Sequence, residues 1–153
     1  MSKKYRIFDT NIFSAYKKQL TEADRGKMAL SLVVFYELTA TKITPAKRKY
    51  WEEVLQAQHK RRTLVIPDET DWHICSRIIW LMHRNNESIG RDATALQNDA
   101  LICQSALSFA DDTPFIVTEN IKHFSLIAEY LNDHRPSGQK KLEIISADEY
   151  FFG

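Results

Sequence analysis

The sequence predicts an α/β fold, a three-layer α/β/α sandwich around a mostly parallel central sheet. Two observations carry that prediction. Five short apolar or β-branched runs recur along the chain: "YRIF", "SLVVF", "TLVIP", "PFIVT" and "KLEII". Segments with helical spacing separate them, and strands that alternate with helices make parallel sheets covered on both faces. The 153 residues contain no internal repeat, low-complexity tract or linker, so one domain over residues 1–153 is expected.

Taken in order, residues 5–8 read as the first strand and 11–20 as a helix running into "TEADRGK". Residues 31–35 read as the second strand and 35–42 as a helix. Pro45 suits a first helical turn and opens an amphipathic segment to Arg62, with Trp51, Val54 and Leu55 on one stripe. A third strand is expected over 63–67 and a helix over 69–83. "NNESIGRDATA" is the main loop, and 96–109 is the clearest helix of the chain. Residues 114–118 form the fourth expected strand, a helix follows from Asn120, and 141–145 form the fifth strand.

Composition narrows the class without naming a function. Hydrophobic residues at 44% and charged residues at 27% are the proportions of a soluble globular protein. A net charge of +1 neither recommends nor excludes nucleic acid, because local patches decide binding. Cys75 and Cys103 lie in apolar, helical context with no Cys/His ligand spacing, which reads as two buried thiols in a reducing compartment. The N-terminus "MSKKYRIF" is too short and too quickly acidic to read as a signal peptide, and no apolar run reaches the ~20 residues of a membrane span. A cytoplasmic protein without membrane association is expected.

In parallel sheets ligands sit beyond the carboxyl ends of the strands, so the residues that follow each strand matter most. Asp9, Thr10 and Asn11 follow the first, and Glu37 lies just beyond the second in "VVFYELTA". Thr118, Glu119 and Asn120 follow the fourth. Asp99, in "LQNDALICQSAL", shares a helical face with Ile102, Cys103, Ala106 and Phe109. A carboxylate aimed at a core is costly unless it is paired or binds a cation.

Each residue alone has an ordinary explanation. Asp9 ends a strand or caps a helix, Glu37 is a solvated helix residue, Asp99 favours a helix N-terminus, and Asn120 is an N-cap. Together they put three carboxylates and an amide at one sheet edge. Converging like charges need a counter-ion, and hard oxygen ligands suit Mg²⁺ or Mn²⁺. Such a site can activate water against a phosphate, which is the chemistry of a phosphodiesterase.

The ordered segments "IFDTNIF", "SLVVFYEL", "NDALICQSAL" and "FIVTENIKHF" resemble the PIN domain, and within it the VapC-type toxin ribonucleases of toxin–antitoxin systems. That resemblance spans residues 7–124. It implies a parallel-stranded α/β/α sandwich and an Mg²⁺/Mn²⁺-dependent endoribonuclease. It also implies a small antitoxin partner and a homodimer. Asp9, Glu37 and Asp99 would be the acidic metal ligands, with Asn120 holding the metal through water. Thr118 would orient the site by its hydroxyl, and Asn11 would support Asp9. Two positions depart from the family pattern: His123 stands before Phe124 where Asp is common, and Glu119 adds an acid at a variable position.

The implied mechanism is hydrolytic, with one or two cations polarising the scissile phosphate and no covalent enzyme intermediate. Basic groups must surround an acidic pocket that takes RNA. Arg91 and Lys122 flank the ligand segments and are candidate phosphate contacts, and His123 is a candidate contact or proton donor, or simply a partly exposed helix residue. The clusters Lys47, Arg48, Lys49 and Lys60, Arg61, Arg62 end the long helix, where charge is ordinarily a solvated face. Trp51, Trp72 and Trp80 sit in helical patterns that suit core or partner packing.

Three other readings compete. One is a phosphoacceptor or small-molecule module on a similar sheet, with Asp9 taking phosphate, but a dehalogenase-like phosphatase wants a second Asp where Asn11 stands. The second is a catalytically silent PIN scaffold that only binds. The third is an RNA-processing nuclease that is not a toxin.

Overall fold

The structure, a computed structural model, describes residues 5–87, 93–109, 114–135 and 138–153. It is an α/β/α sandwich with parallel strands, as the sequence predicts. β1 (Arg6–Phe8) pairs parallel to β4 (Phe115–Thr118), and β4 pairs parallel to β5 (Glu143–Ser146). β2 (Leu30–Ser31) pairs parallel to β3 (Leu64–Val65). A parallel bridge from Arg6 to Met28 joins the two sheets. There the Ala29 N–H donates to the Arg6 carbonyl at 2.8 Å and the Arg6 N–H to the Lys27 carbonyl at 3.1 Å. The spatial order is therefore β3-β2-β1-β4-β5.

That order fixes where a ligand can sit. The chain moves outward from β1 to β2 and β3, then crosses to β4 and β5 on the other side. The reversal falls between β1 and β4, and a crevice opens there beyond the carboxyl ends. Asp9 follows β1 and Glu119 follows β4, so both loops feed this crevice.

The helices complete the two outer layers. α5 (Glu69–Arg84), α6 (Ala93–Ser108) and α7 (Ile121–Asp133) pack against one another. α1 (Thr10–Ala15) and α4 (Pro45–Lys60) meet through Phe13 and Trp51, whose rings are 4.9 Å apart and nearly perpendicular. α8 (Ala147–Phe152) lays Tyr150 edge-on against Phe8 of β1. The buried apolar residues form one continuous cluster, with Ile7, Phe8, Ile116 and Val117 of the central strands inside it.

Several boundaries differ from expectation for physical reasons. The run at 31–35 is not a strand: β2 ends at Ser31 and α3 (Leu32–Thr39) begins at once. A short apolar run cannot be told from a buried helix by periodicity, and β3 offers only two residues to pair with. Helix formation instead buries Val34 and partly buries Leu38, one turn apart. The helix expected over 11–20 stops at Ala15, and α2 (Glu22–Gly26) starts anew. Thr21 nucleates it through a capping box with Asp24, a Thr-x-x-Asp signal legible in "TEAD". α6 begins at Ala93, three residues ahead of the expected start, so "ATA" belongs to a helix and not to the loop. Ser146 caps α8, which went unread, by accepting from the Glu149 N–H at 3.1 Å.

Candidate functional site

Asp9 sits at the N-cap of α1 with extended backbone, so the ordinary explanation of this residue is also true of it. Its N–H continues the ladder to the Val117 carbonyl at 2.9 Å, which seats the residue beside the end of β4. One carboxylate oxygen accepts from the Thr10 N–H at 2.8 Å and the other from the Thr118 hydroxyl at 2.8 Å. The Thr118 hydroxyl in turn accepts the Asn120 N–H at 2.9 Å. Thr118 is fully buried, so this relay is a fixed part of the crevice.

Glu37 arrives from α3 and is half-buried rather than solvated. Helix formation from Leu32 puts it about one and a half turns in. Its Oε1 accepts the Thr10 hydroxyl at 2.8 Å and its Oε2 the Asn98 amide at 3.5 Å. Asp99 is 2% exposed and lies in the second turn of α6. The helix charge acts mainly within the first turn, so helix-end electrostatics does not explain a buried acid there. Asn120 holds the N-cap position of α7, yet its side chain makes no capping bond.

Asp9, Asn11, Glu37, Asp99 and Asn120 all line one cleft of about 1060 Å³. The rest of its lining includes Lys17, Arg25 and Lys47 and the aromatic rings of Phe13, Tyr50 and Trp51. The floor chemistry is oxygen: three carboxylates and two amide carbonyls. The Asn11 Oδ1 is buried and has no hydrogen-bond partner. A buried acceptor left without a donor is what a cation or an ordered water completes, so the donor set fits a hard divalent ion. Among the described residues no three His, Cys, Asp or Glu side chains stand at the spacing of a metal-binding group. Asp9 and Glu37 are turned instead toward the hydroxyl and amide donors named above.

The substrate contacts expected from sequence divide differently. Lys122 is exposed and His123 half-buried on α7, and neither lines the cleft. Arg91 lies outside the described residues. Glu119 is exposed and engages Tyr16 instead of the cleft. Of the two basic clusters, Lys47 reaches the cleft at the start of α4, whereas Lys60 is ~20 Å further along the helix at 1.5 Å per residue. Lys17 and Arg25 also line the cleft, and no motif in the sequence signals them, since Lys17 falls beyond the end of α1 and Arg25 on the separate helix α2. Trp51 packs on Phe13, but Trp72 and Trp80 are exposed on α5 and do not belong to the core.

Two other buried groups clarify what the cleft is not. Asp71 is 1% exposed, yet it is satisfied by the Ser108 hydroxyl at 2.9 Å, the Gln104 amide at 3.1 Å and the Asp68 N–H at 3.0 Å. It is a structural carboxylate that ties α5 to α6. Burial pushes the Cys103 thiol well above its ordinary value, and the nearby Asp99 and Asp9 carboxylates add to that. Burial, with Asp71 adding, pushes Cys75 up to about 12. Neither thiol is a nucleophile at neutral pH.

The fold and cleft define a class: a parallel α/β protein with an acidic, oxygen-lined crevice at its switch point and cations on the rim. No model of a known protein family matches the chain, and no curated protein matches it.

Proposed function

We propose that this chain is a metal-dependent endoribonuclease of PIN type, hydrolysing RNA phosphodiester bonds with Mg²⁺ or Mn²⁺. The observation that carries the reading is the arrival of Asp9, Glu37, Asp99 and Asn120, from four separate elements, in one cleft with a basic rim. Asp71 is answered by donors inside the core and lies away from this cleft. Asp9 and Glu37 also accept hydrogen bonds, but with Asp99 they line an opening large enough for a nucleotide.

A divalent ion held by Asp9, Glu37 and Asp99, with Asn120 through water, would lower the pKa of a bound water and offset the phosphate charge. The chain's own residues do the positioning. The Thr118 hydroxyl, itself fixed by the Asn120 N–H, donates to Asp9 and sets that carboxylate's orientation. Thr10 joins two acids, its N–H on Asp9 and its hydroxyl on Glu37, so that one residue orients both. Lys17, Arg25 and Lys47 supply the positive potential that draws a polyanion toward an acidic floor.

Among its relatives by resemblance the toxin of a toxin–antitoxin pair is our preferred reading, cytoplasmic and homodimeric, with a small antitoxin as partner. Exposed Tyr36, Trp72 and Trp80 are the kind of surface that protein partners cover, which supports a partner of some kind. No helix is long and apolar enough to cross a membrane among the described residues. Single-stranded RNA incubated with Mn²⁺ should be cut by the wild type and left intact by Asp9→Asn. Undiminished cutting by Asp9→Asn would remove the site assignment.

A further inference from the structure

We propose that the cleft wall made by α2, α4 and the turn after α1 is a base-stacking subsite, with Tyr50 as the platform and Lys17, Arg25 and Lys47 as its phosphate contacts. The inference rests on the nuclease reading and names how that site takes a single-stranded substrate.

Tyr50 lines the cleft and is 45% exposed, unusual for an aromatic with this much support. Its ring meets Trp51 edge-on at 5.2 Å, and Trp51 meets Phe13 at 4.9 Å. At the other end its hydroxyl accepts from the Arg25 guanidinium at 2.8 Å. The ring is thus held at both ends while nearly half of it stays open to solvent. An immobilised aromatic loses little entropy when a base stacks on it.

The cations on this wall are available. Arg6 faces Asp24 at 3.7 Å and Arg48 pairs with Glu52 at 2.9 Å. Among the described residues no carboxylate lies within ion-pair distance of Lys17, Arg25 or Lys47. Arg25 spends its contact on a neutral phenol and keeps its charge for a ligand. Positive groups that follow a backbone, next to an aromatic that takes a base of any identity, are the two components of single-strand binding. A duplex keeps its bases stacked on one another and offers Tyr50 none.

The test measures binding in the Asp99→Asn chain with EDTA, where the substrate stays whole and the floor carries less negative charge. The probe is a fluorescein-labelled 12-nucleotide RNA read by anisotropy, beside the same oligomer made abasic. Tyr50→Ala should weaken binding by about 5- to 100-fold, and Tyr50→Phe by less than about 3-fold. Removing the bases should weaken the parent by a similar factor and leave Tyr50→Ala unchanged. Lys17→Ala and Lys47→Ala should each lower the salt slope by about 0.7. An unaffected Tyr50→Ala, an equal loss on the abasic oligomer, or no binding by the parent overturns the proposal. Failure of the nuclease reading shows separately, as intact RNA when the wild type is given Mn²⁺ while these binding effects persist.

Discussion

Thr118→Val tests the hydroxyl relay under the acidic floor. Valine has nearly the volume of threonine, so the change mainly removes the hydroxyl and leaves its two hydrogen-bond partners unsatisfied. Two bonds go with it: the one donated to Asp9 at 2.8 Å and the one accepted from the Asn120 N–H at 2.9 Å. A hydrogen bond to a charged group is worth about 1.5–3 kcal/mol and a neutral one about 0.5–1.5 kcal/mol. Because Thr118 is fully buried, solvent does not replace either. The expected loss is about 2–4 kcal/mol in urea unfolding, or roughly 6–12 °C in Tm for a chain of 153 residues. Thr118→Ser keeps the hydroxyl and should cost about 1 kcal/mol, the worth of one buried methyl. In an Asp9→Ala background the valine substitution should cost at least about 1 kcal/mol less, since the acceptor is gone. A Thr118→Val chain within about 0.5 kcal/mol of wild type, or equal losses in the two backgrounds, would refute the relay.

Three further outcomes are expected. Asp71→Asn can satisfy one side of its donor ring but not both, so it should cost about 2–4 kcal/mol in urea unfolding without altering RNA cutting. Stability unchanged by that substitution would show the α5–α6 tie to be idle. With Cys75 raised to about 12 and Cys103 raised well above its ordinary value by burial, both thiols should resist a thiol reagent at pH 8 and react in 8 M urea (a denaturant concentration, about that used to unfold small domains); rapid native labelling would contradict their burial. Burial and the bond to Asp24 raise the Tyr150 phenol, so its contribution is complete below pH ~10, the unfolded value, and is lost as pH rises beyond it. Asp24 has the opposite sign: although burial opposes it, bonds from Tyr150 and Thr21 and the charge of Arg6 hold it low, so its contribution is lost as pH falls below ~4. Tyr150→Phe should flatten the alkaline limb of a stability-versus-pH curve, and an unchanged limb would dismiss this bond as its source.

Much of the site was legible because its residues follow strands. Asp9 and Thr118 are tied to strand ends by backbone register, and the strands announce themselves as β-branched runs. Asp99 was legible for a different reason, as a carboxylate in step with Ile102 and Cys103 on a buried helical face. Glu37 reaches the cleft from a helix and not from a strand end: "LVVF" is helix, because tertiary packing overrides strand propensity where a partner strand is only two residues long. The rim was not legible. Arg25 and Tyr50 are 25 positions apart and meet only through the packing of α2 against α4, and Lys17 joins them at the cleft from the turn after α1, which no local pattern encodes. Lys122 flanks the ligand segments along the chain, and chain proximity does not put a helical side chain into a cleft; His123 is a partly exposed residue of α7, the ordinary reading of it.

The most direct test of the central claim is cleavage of a mixed pool of structured RNAs with Mg²⁺ or Mn²⁺, wild type beside Asp99→Asn, with EDTA as the blank. Metal-dependent cutting by the wild type, lost in Asp99→Asn and in EDTA, is the predicted result. Cutting that survives either EDTA or the substitution would contradict the account, and so would a folded, partner-free wild type that leaves every RNA in the pool intact.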